Sequence, residues 1–121
     1  IFARYQKGFE DKEWAILPPY RDEEKTSSFH LFLLRIKGVT EEMRNTIMSK
    51  IFDREVSVNV HFIPLPLLTF YKECGYRMED YPVSYKNFSQ LISLPVYYDL
   101  SDEDVDTVIN AVVESVEEVL S

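Results

Sequence analysis

Val56-Ser57-Val58-Asn59-Val60-His61-Phe62-Ile63-Pro64-Leu65-Pro66 is the stretch on which the reading of this chain turns. Side chains alternate faces along a strand, so Val56, Val58, Val60 and Phe62 form one apolar wall and Ser57, Asn59 and His61 the other. Pro64 and Pro66 then stop it, because proline offers no N–H to a ladder and fixes its own φ. His61, one of only two histidines, stands on the polar wall where the strand stops. A functional site is expected there.

Working outward, Phe29 to Ile36 carries apolar residues on both faces: Phe29, Leu31 and Leu33 on one, Phe32, Leu34 and Ile36 with His30 on the other. That pattern predicts a central strand covered on both sides, paired with residues 56–62 in one small sheet. Trp14 to Leu17 is a short strand candidate closed by Pro18-Pro19, and Arg21 to Ser28 reads as a loop. Thr40 caps a helix running to about Asp53, with Glu41 and Glu42 in its first turn and Met43, Ile47 and Ile51 as its buried stripe. Leu67 to Glu73 is a short helix ended by Gly75. Val83 to Ile92 is a further helix with Tyr85, Phe88 and Leu91/Ile92 inward, and Leu94 to Tyr98 is extended. Ser101 caps the last helix, whose Val105, Val108, Ile109, Val112, Val116 and Leu120 form one stripe. The order predicts an α+β fold, a small antiparallel or mixed sheet with helices packed on it.

Ile1, Phe2, Tyr5 and Phe9 have helical spacing, but no capping residue precedes them. Residues 1–10 therefore read as the tail of a longer helix that starts upstream, and 11–121 as one small domain.

With 121 residues the chain has room for one core. Hydrophobic residues make up 45% and charged residues 28%, which argues against wholesale disorder. A formal charge of −8 argues against a nucleic-acid surface, which needs excess Lys and Arg. Cys74 is the only cysteine, so neither an intrachain disulfide nor a CxxC site is available. No run approaches the ~20 apolar residues of a membrane span, and no signal-peptide pattern is present. A soluble, cytoplasmic protein is expected.

Three glycines leave no Gly-rich phosphate cradle, and neither paired histidines for zinc nor a Gly-x-Ser-x-Gly elbow occurs. His61 reads either as an acid/base or substrate donor, or as a half-buried histidine satisfied by a carbonyl. His30, inside an apolar strand, reads as a core histidine, and Cys74 as a buried thiol. Tyr71, Tyr76, Tyr81, Tyr97 and Tyr98 flank the Pro-rich segments, either as core or as a cleft lining. Asp102 to Asp104 read as compensation of the helix dipole rather than as metal ligands.

Val60-His61-Phe62-Ile63-Pro64-Leu65, followed by Phe70-Tyr71-Lys72-Glu73-Cys74-Gly75-Tyr76, resembles the "vHY-x-P-L … Y-x-x-x-G-Y" segment of the DegT/DnrJ/EryC1/StrS sugar aminotransferases. Tyr81-Pro82-Val83, then Ser93-Leu94-Pro95-Val96-Tyr97 and Leu100-Ser101-Asp102-Glu103-Asp104-Val105, is similar to that family's C-terminal "P-x-A … S-L-P-hydrophobic-Tyr … L-[ST]-x-E-[ED]" signature. Arg4-Tyr5 and Leu17-Pro18 match as well.

The resemblance implies the small C-terminal domain of a fold-type I, pyridoxal-phosphate (PLP) dependent enzyme. Such enzymes transfer an amino group to a nucleotide-linked keto-sugar, for capsules, O-antigens and similar polysaccharides. It implies PLP in the parent enzyme and no cofactor site in this chain, whose catalytic large domain would be a partner, as would a second copy in a homo-oligomer. His61, Phe62 and Pro64 match the motif position by position and are implied to line the substrate cleft. Where the family often shows "P-x-H", this chain has Pro64-Leu65-Pro66. A different reading is a stand-alone, non-catalytic binding or assembly module derived from such an enzyme. An isolated copy is expected to bare apolar surface at Ile1, Phe2, Tyr5 and Phe9.

Overall fold

A computed structural model describes residues 1–121. In chain order the elements are α1 (Phe2–Phe9), β1 (Ala15–Ile16), β2 (Phe32–Ile36), α2 (Glu41–Asp53), α3 (Thr69–Glu73), α4 (Pro82–Gln90), β3 (Leu91–Leu94) and α5 (Asp102–Leu120). The strands form one antiparallel sheet in the order β1-β2-β3. The fold is α+β, as expected.

β2 is the central strand. Phe32, Leu34 and Ile36 are buried while Leu33 and Arg35 are half-exposed, so one face is core and the other only partly covered. Phe32 sits opposite Leu94 and Leu34 opposite Ile92. The strand starts three residues later than its apolar pattern suggests, because Phe29 takes a left-handed φ of 56° and turns the chain.

α5 runs along the core. Its N-terminus is closed by a reciprocal capping box: Asp104 N–H donates to Ser101 Oγ and Ser101 N–H donates to Asp104 Oδ2, both at 3.1 Å. Val105, Val108, Ala111, Val112, Ser115 and Val116 are buried, whereas Ile109 is half-buried and Leu120 exposed. The stripe is therefore centred closer to Val112 than the spacing implied.

α1 lies against α5, and Gly8 makes the approach possible. A Cβ there would stand 2.7 Å from Cδ1 and 2.9 Å from Cγ2 of Ile109. Phe2, Tyr5 and Phe9 are all buried, and the Tyr5 hydroxyl donates to the Pro95 carbonyl at 2.9 Å. Burial pushes the Tyr5 phenol far above its ordinary value. The apolar surface expected to be bare on α1 is instead core. Only Ile1 of that set is half-exposed.

α2 begins at Thr40, whose Oγ1 accepts from Met43 N–H at 3.2 Å. Its buried residues are Arg44, Ile47 and Ile51, with Met43 only half-buried. Arg44 replaces Met43 in the expected stripe because it caps another helix. Its Nη1 donates to the carbonyls of Phe88 (3.1 Å) and Leu91 (3.0 Å), Nε donates to Asn45 Oδ1 (2.8 Å), and the guanidinium lies 5.1 Å over the Phe88 ring. Burial lowers its affinity for the proton, an effect opposed by Glu41 and Tyr85.

α4 stops at Gln90, and Leu91 to Leu94 pairs with β2 as β3 rather than ending the helix. Ser89 and Gln90 are buried in that turn, while Tyr85 faces outward and donates to Glu41 Oε2 at 2.9 Å.

The run 56–62 is not a strand of this sheet and does not pair with β2. Val56 and Val58 are buried, as the alternation predicts, but the only pairing is one antiparallel bridge from Asn59 to Ser93 of β3. The ladder ends there because Phe62 adopts a φ of 41°, outside the extended region, and Pro64 follows. No helix is long and apolar enough to cross a membrane.

Candidate functional site

The segment from Asn59 to Pro64 is fixed at its start and free thereafter. Asn59 N–H donates to the Ser93 carbonyl at 3.1 Å, and Ser93 N–H donates back at 2.7 Å. The Asn59 side-chain Oδ1 accepts from Val60 N–H at 2.7 Å, which turns the chain outward. His61 is exposed and meets Phe62 edge-on at 5.1 Å between ring centroids. Phe62 is 82% exposed, and Pro64 is half-buried at the entry to a 3-10 turn, Leu65–Leu67.

His61 and Phe62 are thus brought together on one ledge, with Pro64 as the hinge out of it. His61 is not the half-buried, carbonyl-satisfied residue that was one of its two readings. Phe62 leaves the apolar wall because its backbone turns before it can reach the core.

No residue from Asn59 to Phe88 is buried. Ile63, Leu65, Phe70 and Val83 are more than half exposed, and Phe70, Tyr71 and Tyr76 pack mainly on one another, at 5.4 and 5.9 Å. A cavity of about 340 Å³ lies between Leu65, Tyr71, Tyr76 and Tyr81. Apolar surface in such quantity on one segment marks a contact area for something outside the chain. Cys74 is exposed there, since α3 ends at the rim of this excursion rather than in the core.

A second and larger cavity, about 750 Å³, opens at the start of α1 and includes Arg21, His30, Tyr97 and Tyr98. His30 is exposed rather than in the core, because the chain turns at Phe29 before the strand begins. Tyr97 and Tyr98 are exposed as well. Of this cavity the sequence offered only the tyrosine pair as a signal.

The acids at the head of α5 are engaged with the protein itself: Asp104 in the capping box, Asp102 with Arg4 at 3.2 Å, and Asp106 with the same arginine at 2.6 Å.

The lysines do not fit a PLP imine. Lys50 pairs with Glu118 at 2.7 Å, Lys12 with Glu117 at 3.5 Å and Lys25 with Asp22 at 3.7 Å. Lys7, Lys37, Lys72 and Lys86 are exposed. An imine-forming lysine is instead desolvated or held beside another cationic group.

Residues 1–113 match the profile of the DegT/DnrJ/EryC1/StrS aminotransferase family. The chain is 33% identical over 117 residues to the spore coat polysaccharide biosynthesis protein SpsC of Bacillus subtilis (strain 168), covering 93% of this chain and 29% of that protein. Among solved structures it superposes on Spr1654 of Streptococcus pneumoniae, described as a sugar aminotransferase and solved in its PMP-form, with a TM-score of 0.93 and 38% identity over 98% of this chain and 30% of that one. The same protein in its PLP-form gives a TM-score of 0.91. The aminotransferase TlmJ of Streptoalloteichus hindustanus shares the fold at 24% identity, with a TM-score of 0.84 over 99% of this chain and 31% of that one. The chain spans about 30% of the length of the relatives it matches.

Proposed function

We propose, from the premise that this chain belongs to the DegT/DnrJ/EryC1/StrS aminotransferase family, that it is the small C-terminal domain of a PLP-dependent enzyme acting on a nucleotide-linked keto-sugar. PLP supplies the amino-group chemistry in such an enzyme. Its imine lysine, the acid that keeps the ring nitrogen protonated and the phosphate cradle belong to a large domain outside this chain. A homo-oligomer completes the assembly.

The observation that carries this reading is the ledge at Asn59–Pro64. It is anchored to the sheet by two backbone bonds and then presents His61 and Phe62 away from the domain's own core. A histidine there can donate to, or take a proton from, a group held by the other domain, and the Phe62 ring offers an apolar wall. His61, Phe62 and Pro64 are the residues we assign to the substrate cleft. α1 leads into the domain from the upstream side.

The test is amino transfer from glutamate to a nucleotide-linked keto-sugar by the full-length polypeptide, with and without His61→Ala. We expect at least a tenfold loss of kcat/KM with an unchanged melting temperature, because His61 supports no buried contact. A fully active His61→Ala enzyme would remove the histidine from the cleft. Absence of any transfer by the parent enzyme would overturn the assignment itself.

A further inference from the structure

We propose that Asn59 is a positioning residue for His61: its side-chain carbonyl closes on the next backbone amide and fixes the direction in which the ledge leaves the sheet. The reaction that His61 serves rests on the function proposed above. The hold on the ledge does not.

Register comes first. Asn59 and Ser93 exchange both backbone bonds, at 3.1 and 2.7 Å, so both main-chain groups of Asn59 point at β3. In such a pair the next residue along the strand points its own N–H to the opposite edge. The Val60 N–H is thereby turned to the open side, where no backbone carbonyl meets it. Asn59 Oδ1 does, at 2.7 Å, and is the only acceptor that N–H has.

Residue type comes next. Asparagine is depleted in strands, because its short side chain competes with the ladder for nearby backbone groups. Here the competition falls at the last ladder pair, after Val56 and Val58 have been buried. The Oδ1 bond closes a small ring that contains the ψ of Asn59 and both of its χ angles. That ring locks the peptide joining Asn59 to Val60. Asn59 is itself exposed, so shortening its side chain opens no cavity in the core.

The chain beyond has no other hold. Between the Val60 N–H and the Pro64 carbonyl, which accepts from Leu67 N–H at 2.9 Å, no backbone group is hydrogen-bonded. His61 follows directly on the locked amide, is exposed, and meets the Phe62 ring at 5.1 Å. Its aim is inherited from the peptide that Asn59 fixes. Shifting a reacting group by about 1 Å can cost on the order of a hundredfold in rate, so a one-residue lock next to His61 bears on turnover.

The experiment uses the full-length polypeptide carrying Asn59→Ala, Asn59→Asp, His61→Ala or the pair Asn59→Ala/His61→Ala. Aspartate keeps an acceptor at the same reach, and alanine removes it. Two quantities are read: amide hydrogen exchange at Val60, relative to an unstructured peptide of each sequence, and kcat/KM for amino transfer to the nucleotide-linked keto-sugar. We expect Val60 to exchange at least tenfold more slowly in the parent and in Asn59→Asp than in Asn59→Ala. We expect Asn59→Ala to lose at least fivefold in kcat/KM and Asn59→Asp to recover most of it. Once His61 is alanine, Asn59→Ala should cost nothing further. Losses that multiply in the double variant, as for a direct substrate contact, would overturn the positioning role. So would an Asn59→Ala enzyme as active as the parent, or an Asn59→Asp enzyme as slow as Asn59→Ala. Equal Val60 exchange in the parent and Asn59→Ala overturns it whatever the activity. If exchange behaves as expected but the parent transfers no amino group, the function reading fails and the hold on the ledge stands.

Discussion

Asn59 and Ser93 exchange both of their backbone hydrogen bonds, at 3.1 and 2.7 Å, and this single bridge joins the His61 ledge to the sheet. The bridge decides where mobility begins. Residues before it are buried at Val56 and Val58, and residues after it have no ladder partner. Hydrogen exchange should show the Asn59 and Ser93 amides protected, with those of His61, Phe62 and Ile63 exchanging far faster. Equal protection across residues 59–63 would mean that the ledge is a full strand.

Arg44 should be among the costliest single positions in the domain. Replacing it with methionine keeps much of the packing on Phe88 but strands the Leu91 carbonyl and leaves the Phe88 carbonyl with only the Leu91 N–H. Leaving buried acceptors unpaired costs about 1–3 kcal/mol each, less whatever water can recover. Arg44→Met is therefore expected to lose about 1–3 kcal/mol in chemical denaturation. Arg44→Lys should recover less than half of that, since one ammonium cannot copy the fork.

Gly8→Ala tests the packing of α1 on α5. The new methyl group would meet Ile109 at 2.7–2.9 Å, and Cγ2 of Ile109 can swing aside only by leaving the χ1 that a β-branched residue prefers in a helix. Overpacking of this kind costs about 1–3 kcal/mol. The double variant Gly8→Ala/Ile109→Ala should recover most of that loss relative to Ile109→Ala alone, as a denaturation cycle would show.

Acid should loosen α5 through two carboxylates. Hydrogen bonds from the Ser101 side chain and backbone hold Asp104 below the usual carboxylate range, and Lys50 and Arg54 do the same for Glu118. A depressed folded-state value means stabilisation that is present above the unfolded value and lost as pH falls through the folded one. Asp104→Asn should therefore lose less stability than the parent between about pH 5 and about pH 3. Parallel pH profiles for the two proteins would contradict the capping role.

Much of the architecture was legible because it depends on local patterns. The Ser101 and Thr40 caps, the valine stripe of α5 and the Phe32-Leu34-Ile36 face are set by spacing along one element. What escaped depends on contacts between elements. Arg44 lay outside the expected Met43, Ile47 and Ile51 stripe, yet it is buried against the end of α4. Leu91 looked helical, yet it pairs with Arg35 of β2 and becomes strand. Phe29 and Phe62 looked like alternating strand residues, and each instead turns the chain through a positive φ. His30 and Phe62 thereby end up outside the core that their apolar neighbours suggested. The ledge itself was visible as an alternation stopped by proline, but its single tether to Ser93 was not.

The proposed division of labour between this chain and a large domain is tested most directly by absorbance. PLP is titrated into the 121-residue chain and, in parallel, into the same chain joined to its upstream coding sequence, while the internal-aldimine band is followed. The account predicts a saturable, stoichiometric aldimine in the longer polypeptide. In the short one it predicts only the weak, non-saturating signal of exposed lysines. A tight one-to-one aldimine on the 121-residue chain alone would contradict it.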